Sequence, residues 1–108
     1  MEAQMLMEAQ IKKGILEMCV LYTIRGKAMY GYDVMKSMRR HFPEVNESTF
    51  YSILRRLHAD GSAEMTPGSE SNGPTRKYYK ITDTGRAVLD QSMQSWRRIR
   101  GIVEEIGI

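Results

Sequence analysis

Eight consecutive residues, Pro67-Gly68-Ser69-Glu70-Ser71-Asn72-Gly73-Pro74, hold two prolines, two glycines and no large apolar side chain. Such a run cannot carry a helix forward, because each proline lacks an amide hydrogen and the other residues favour turns. On its two sides lie short stretches that read as strands, Ala63 to Thr66 and Arg76 to Thr82. In the second, Tyr78 and Tyr79 should face opposite sides, as should Lys80 and Ile81. Strand, polar loop and strand predict a β-hairpin, and the rest of the chain must be arranged around it.

The remainder reads as four helices. Before the hairpin, Asn46 is a good N-cap for a helix over Glu47 to Asp60. Phe50, Ile53, Leu54 and Leu57 give it one apolar face at i, i+3, i+4 and i+7, and Gly61 ends it. Ser48, Thr49, Tyr51, Ser52, Arg55 and Arg56 are left for its outer faces, a composition suited to phosphates and base edges. Arg56 can also pair with Asp60 at i+4. An earlier helix, Tyr32 to His41, opens at Gly31 and stops at Pro43. Val34, Met35, Met38 and Phe42 fall on one side of it, and Lys36, Arg39 and Arg40 on the other. The first helix should run from Met5 to Arg25, with Gly26 at its end. It is apolar on most sides and therefore needs cover on most sides. After the hairpin, Thr82 or Asp83 can cap a long helix to about Ile106. Its stripe of Leu89, Met93, Trp96, Ile99, Val103 and Ile106 has the spacing of a helix seam.

A chain of 108 residues is one domain's worth. Neither terminal helix can be covered by so small a body, which predicts a homodimer. The longest apolar run, Met18 to Tyr22, is far short of the roughly 20 residues a bilayer demands, so no membrane span is expected. The first ten residues carry acids and no basic region, unlike a secretory signal. A single cysteine, Cys19, reads as core and suits a reducing, cytoplasmic setting. His41 and His58 stand alone, and no metal site or cofactor is implied. No nucleophile, base and oxyanion site can be assembled, so an enzyme is not expected.

The net charge of +3 is unevenly spread. Residues 36–80 hold eight bases (Lys36, Arg39, Arg40, Arg55, Arg56, Arg76, Lys77, Lys80) against five acids, and the flanking segments balance to zero. The excess therefore coincides with the two helices and the hairpin, as expected of a surface that faces phosphates.

The order helix, helix, helix, hairpin, long helix is that of a winged helix with an arm. The residues also resemble the PadR-like regulators over about 11–103. The resemblance rests on Tyr30-Gly31-Tyr32-Asp33, on Thr49 through Leu57, on Gly73 through Gly85 and on Trp96. The short terminal helix is similar to the smaller, LmrR-like branch. Ser62-Ala63 stands where larger apolar residues are common, which predicts a loosely packed first strand.

The resemblance implies a mainly α fold with a two-stranded β wing. A winged helix-turn-helix would occupy residues 1–82, and a C-terminal dimerisation helix residues 83–108. It implies a sequence-specific regulator of transcription, a repressor binding double-stranded DNA as a homodimer on a palindromic operator. Lys36, Arg39, Ser48, Thr49, Tyr51, Ser52, Arg55, Arg76 and Lys77 are the expected DNA contacts. Leu6, Met7, Leu89, Met93, Trp96, Ile99 and Val103 are the expected dimer or ligand-pocket residues, Met5 and Met7 sharing the wall with Met93. Two readings of Trp96 stand: a wall on which a flat aromatic effector stacks, or a buried dimer contact with no pocket. A winged module that senses a ligand or binds a protein without reading DNA sequence is the alternative function.

Overall fold

The computed structural model describes residues 7, 8, 10–12, 14–68 and 76–108. Leu6 and Met5 lie outside the described residues, as does most of the hairpin loop. The elements are α1 (Ile15–Thr23), β1 (Met29–Tyr30), α2 (Gly31–His41), α3 (Glu47–Ala59), β2 (Ala63–Pro67), β3 (Lys77–Ile81) and α4 (Asp83–Ile106). The result is mostly helical with a small antiparallel sheet.

The core gathers where the apolar faces predicted it. Val34, Met35 and Met38 of α2 meet Phe50, Ile53, Leu54 and Leu57 of α3, closed by Val20, Leu21 and Ile24 from the α1 region and by Tyr79 and Ile81 of β3. Phe50, Leu54 and Val34 have no accessible surface. Each such side chain contributes about 1.5–3 kcal/mol by leaving water.

Four details differ from the sequence reading. The first helix is not continuous from Met5 to Arg25. Residues 7, 8 and 10–12 are helical, but Gly14 takes φ 85°, a left-handed conformation that glycine alone adopts without strain, and α1 starts afresh at Ile15. It also stops at Thr23, short of Gly26. There the Thr23 hydroxyl donates to the Cys19 carbonyl (2.8 Å), and the Arg25 guanidinium donates to the Tyr22 carbonyl (2.7 Å) while lying over the Tyr22 ring. The Arg25 bond satisfies a carbonyl that the amide of Gly26 would have taken in a longer helix.

Second, the sheet has three strands in the order β1-β3-β2. Met29 and Tyr30 pair with Tyr79 and Tyr78 on the outer side of β3, while β2 pairs along its other edge from Ala63↔Ile81 to Pro67↔Lys77. Tyr30 and Tyr78 stack with ring centroids 3.9 Å apart. The extra strand protects an edge of β3 that a two-stranded wing leaves open.

Third, Asn46 occupies the N-cap position of α3, but its side chain makes no capping bond. Fourth, the start of β2 is not loose: Ser62 and Ala63 are 4% and 2% exposed. They are small because α4 comes very close. A Cβ on Gly85 would lie 2.0 Å from the Ser62 carbonyl oxygen. Thr82 fastens the junction. Its hydroxyl accepts from the Gly85 amide (3.0 Å), capping α4, and donates to the Gly61 carbonyl (2.6 Å). Its own amide donates to the Ser62 carbonyl (3.1 Å). The base of the wing and the first turn of α4 are thereby one unit.

Candidate nucleic-acid interface

Helix α3 follows α2 across a short turn, and the hairpin follows α3 directly. The turn is held by Arg39, whose Nε donates to the Val45 carbonyl (3.1 Å) and Nη2 to the Pro43 carbonyl (3.0 Å). Two of its five donors are thus engaged with backbone, and the side chain is half-buried. Lys36, one turn earlier on α2, is exposed, with its ammonium 5.4 Å from the centre of the Tyr32 ring.

The inner face of α3 is fully buried, so its opposite face must look outward. Ser48, Ser52 and Arg55 are exposed and Thr49 is half-buried. Arg55 Nη2 donates to the Ser52 hydroxyl at 3.0 Å, an arrangement that holds the guanidinium along the helix surface. Arg56 does not pair with Asp60. Its Nε lies 2.6 Å from Glu17 Oε1, because α1 passes beside this flank of α3 and offers a carboxylate nearer than the helix's own last turn. Tyr51 turns inward. It packs against the core, and its hydroxyl is hidden from solvent with no hydrogen-bond partner among the described residues. Burial, then the neighbouring Glu47, pushes that phenol above its ordinary pKa.

On the hairpin, Arg76 is exposed and Lys77 half-buried, Lys77 opposite Pro67 in the β2–β3 register. Arg76 borders a cleft with Tyr30, Tyr32 and Asp33, so the start of α2 and the hairpin approach each other. Lys36, the outer face of α3 and Arg76 form a discontinuous polar and basic surface from three elements. His41 and His58 stay apart, with His58 Nδ1 3.2 Å from the Ala63 carbonyl. Among the described residues no group of three or more His, Cys, Asp or Glu side chains is placed to hold a metal ion. No described helix is long and apolar enough to cross a membrane.

The second set of candidates lies mostly on α4. Leu89 is buried in the core of its own chain and Met93 packs against that core. Beyond them the helix leaves the body. Trp96, Ile99 and Val103 are exposed at 39%, 51% and 36%, and Ile102 and Ile106 widen the same apolar face. Met7 is exposed on the N-terminal segment. Trp96 stands between two concavities. One, of about 620 Å³, is bounded by Cys19, Tyr22, Met38, Met93 and Arg97; the other, of about 390 Å³, by Met18, Val88 and Ile99. Cys19 is half-buried, packed against the core and bordering the larger concavity, and burial raises its thiol pKa. Sequence reasoning missed Met18 here; Met38 is the core residue its spacing predicted and also touches the larger concavity.

A helix-turn-helix joined to a short antiparallel hairpin and continued by one long helix defines a winged helix-turn-helix protein. The sequence profile of the PadR-like transcriptional regulator family matches residues 20–91. The chain belongs to this family of transcriptional regulators, whose members bind DNA. A PadR-like transcriptional regulator from Bacillus cereus is similar in structure, with a TM-score of 0.76 and 38% identity over 90% of this chain and 95% of that one. A transcriptional regulator from Streptococcus gives a TM-score of 0.74 and 32% identity over 92% and 98% of the two chains. The transcriptional regulator Rv3488 of Mycobacterium tuberculosis is 24% identical over 86 residues, 80% of this chain and 79% of that one.

Proposed function

We propose that this regulator is a repressor that binds a palindromic operator as a homodimer and is released by a small, flat aromatic effector. The observation that carries the DNA-reading part is the division of α3. One face is sealed in the core, while Ser48, Ser52 and Arg55 are exposed on the other and Thr49 is half-buried on the flank beside α1. In this reading the N-terminal half of α3 enters the major groove, where Ser48, Thr49 and Ser52 meet base edges. Arg55, Lys36, Arg76 and Lys77 neutralise phosphates, the last two from the wing. Arg39 acts through the turn it braces.

The dimer reading is supported by the exposed face Trp96–Ile99–Val103 on α4, which a second copy of the same face would cover. The two-fold axis then sets two α3 helices about one turn of DNA apart. The effector reading is supported by the two concavities beside Trp96, since an indole with open space next to it can stack on a flat ring.

Duplexes selected by the purified protein from a random pool, followed by binding across a salt series, test the reading. A preferred sequence should persist near about 150 mM salt, where non-specific binding weakens toward roughly 10⁻⁴–10⁻⁶ M. Arg76→Ala with Lys77→Ala should weaken binding about equally across sequences. It should also flatten the salt dependence by about 0.9 log units per log unit of salt for each phosphate contact removed. A change of sequence preference with affinity intact contradicts the wing assignment. A protein that selects no sequence is a ligand-sensing or protein-binding module instead.

A further inference from the structure

The whole wing separates α3 from α4 in the sequence, yet one side chain joins the end of the first helix to the start of the second. Helix α3 closes at Gly61, whose φ of 79° turns its amide back to the His58 carbonyl (3.1 Å) and the Ser62 amide back to the Leu57 carbonyl (2.8 Å). The Gly61 carbonyl then accepts from the Thr82 hydroxyl at 2.6 Å. The same oxygen accepts from the Gly85 amide in the first turn of α4 (3.0 Å), and the Thr82 amide donates to the Ser62 carbonyl (3.1 Å). Gly85 lies against that Ser62 carbonyl with no room for a Cβ, so the two helix ends meet without a spacer. The buried residues of α4 are Gly85 and Leu89. Beyond Met93 the arm leaves the body, so its direction is set by its first turns. From Gly85 to Ile99 the helix climbs about 21 Å at about 1.5 Å per residue. A turn of about 10° at its foot therefore carries the apolar face of the arm about 4 Å sideways relative to α3, roughly one base-pair step of DNA.

We propose that Thr82 is a positioning residue for operator recognition: by tying the end of α3 to the foot of α4, its hydroxyl fixes the angle between the reading helix and the dimer arm, and so the spacing between half-sites that a dimer accepts. The proposal rests on the homodimer and on the DNA-reading assignment of α3 made above. Thr82 touches no DNA in this reading and adds nothing to the affinity for one half-site. It acts on the engagement of the second, since two linked sites reinforce each other by about 10²–10⁴ only when both can be reached at once. A firm joint makes that gain depend on one spacing, and a loosened joint spreads it over several.

Three variants separate the tie from the cap. Thr82→Asp keeps an acceptor for the Gly85 amide, at a helix start where a carboxylate is favourable, but has no proton for the Gly61 carbonyl. Thr82→Ala loses both bonds, and Thr82→Ser keeps both. Sedimentation and thermal melting establish that each is a folded dimer. Fluorescence anisotropy, well below each melt, then uses labelled duplexes with the half-sites selected by the wild type, and the same duplexes with one or two base pairs added or removed between them. The expected result is that the wild type and Thr82→Ser lose at least about 100-fold at two base pairs, the low end of what simultaneous engagement adds, while Thr82→Asp and Thr82→Ala lose less than about tenfold. A folded Thr82→Asp dimer with the wild-type spacing penalty overturns the proposal. So does a wild type that tolerates every spacing, or Thr82→Ser as tolerant as Thr82→Ala. Equal weakening of Thr82→Asp on all duplexes overturns it too, because the residue then only supports the fold. A wild type that selects no duplex sinks the DNA-reading assignment, and one that selects a lone half-site sinks the dimer; this proposal falls with either, and neither result resembles a change in spacing tolerance.

Discussion

Thr82→Ala should uncouple the wing from the long helix, and its cost can be worked from the two hydrogen bonds its hydroxyl makes. The bond from the Gly85 amide is the larger. Gly85 is buried, so its N–H has no water to turn to, and loss of a threonine cap costs about 0.5–2 kcal/mol. The bond to the Gly61 carbonyl is shorter, at 2.6 Å, but it is exposed; water replaces it, and the net loss is about 0.5 kcal/mol, the low end for a hydrogen bond. Together they give about 2 kcal/mol. For a chain of this size the melting temperature should fall by roughly 8 °C, taking about 4 °C per kcal/mol. The assay is a far-UV circular dichroism melt at one fixed subunit concentration, because subunit association would make the midpoint depend on concentration. Thr82→Ser keeps the hydroxyl and should stay within about 2 °C of wild type on the same scale. A Thr82→Ala melt indistinguishable from wild type refutes the reasoning. Equal losses for alanine and serine also refute it, since the methyl group rather than the hydroxyl would then matter.

Two further outcomes follow from the same region and from the arm. Gly85→Ala should destabilise by about 3 kcal/mol, the upper end for overpacking, because the obstructing atom is the Ser62 carbonyl oxygen and backbone cannot step aside; urea unfolding with a loss under about 1 kcal/mol would contradict this. Trp96→Ala should weaken the binding of flat aromatic dyes and the dimer measured by sedimentation, while an assembled dimer keeps its sequence preference; an intact dimer with altered preference would count against the role given to the arm.

Much of the fold was legible because it rests on periodicity. Phe50, Ile53, Leu54 and Leu57 declare the buried face of α3 before any coordinates, and the strands on the two sides of the polar run are where the sequence put them. What escaped was long-range. Strand β1 is two residues long, too short for any alternation to show, and exists because Tyr30 finds Tyr78. Gly14 looked like one residue of a helix, and only its φ shows a break. Arg56 had an acid at i+4 within its own helix, but the ion pair goes to Glu17 on α1. Such contacts are decided by which elements pass one another, not by spacing along one of them.

The charges show the same limit at the candidate site. The basic excess of residues 36–80 counts Arg39 and Arg56 with the rest, yet the structure engages Arg39 with two backbone carbonyls and Arg56 with a carboxylate. Freeing either would sacrifice contacts that hold α3 against its neighbours, so neither is a cheap source of phosphate contacts. Lys36, Arg55, Arg76 and Lys77 carry no such ties to carbonyls or acids among the described residues. Four phosphate contacts per subunit would give a dimer a salt slope of about −7 at 0.9 per contact. Adding Arg39 and Arg56 to the tally would raise it to about −11. The distinction between bases that build the helix-turn-helix and bases that face outward is therefore measurable in solution as the slope of DNA affinity against salt.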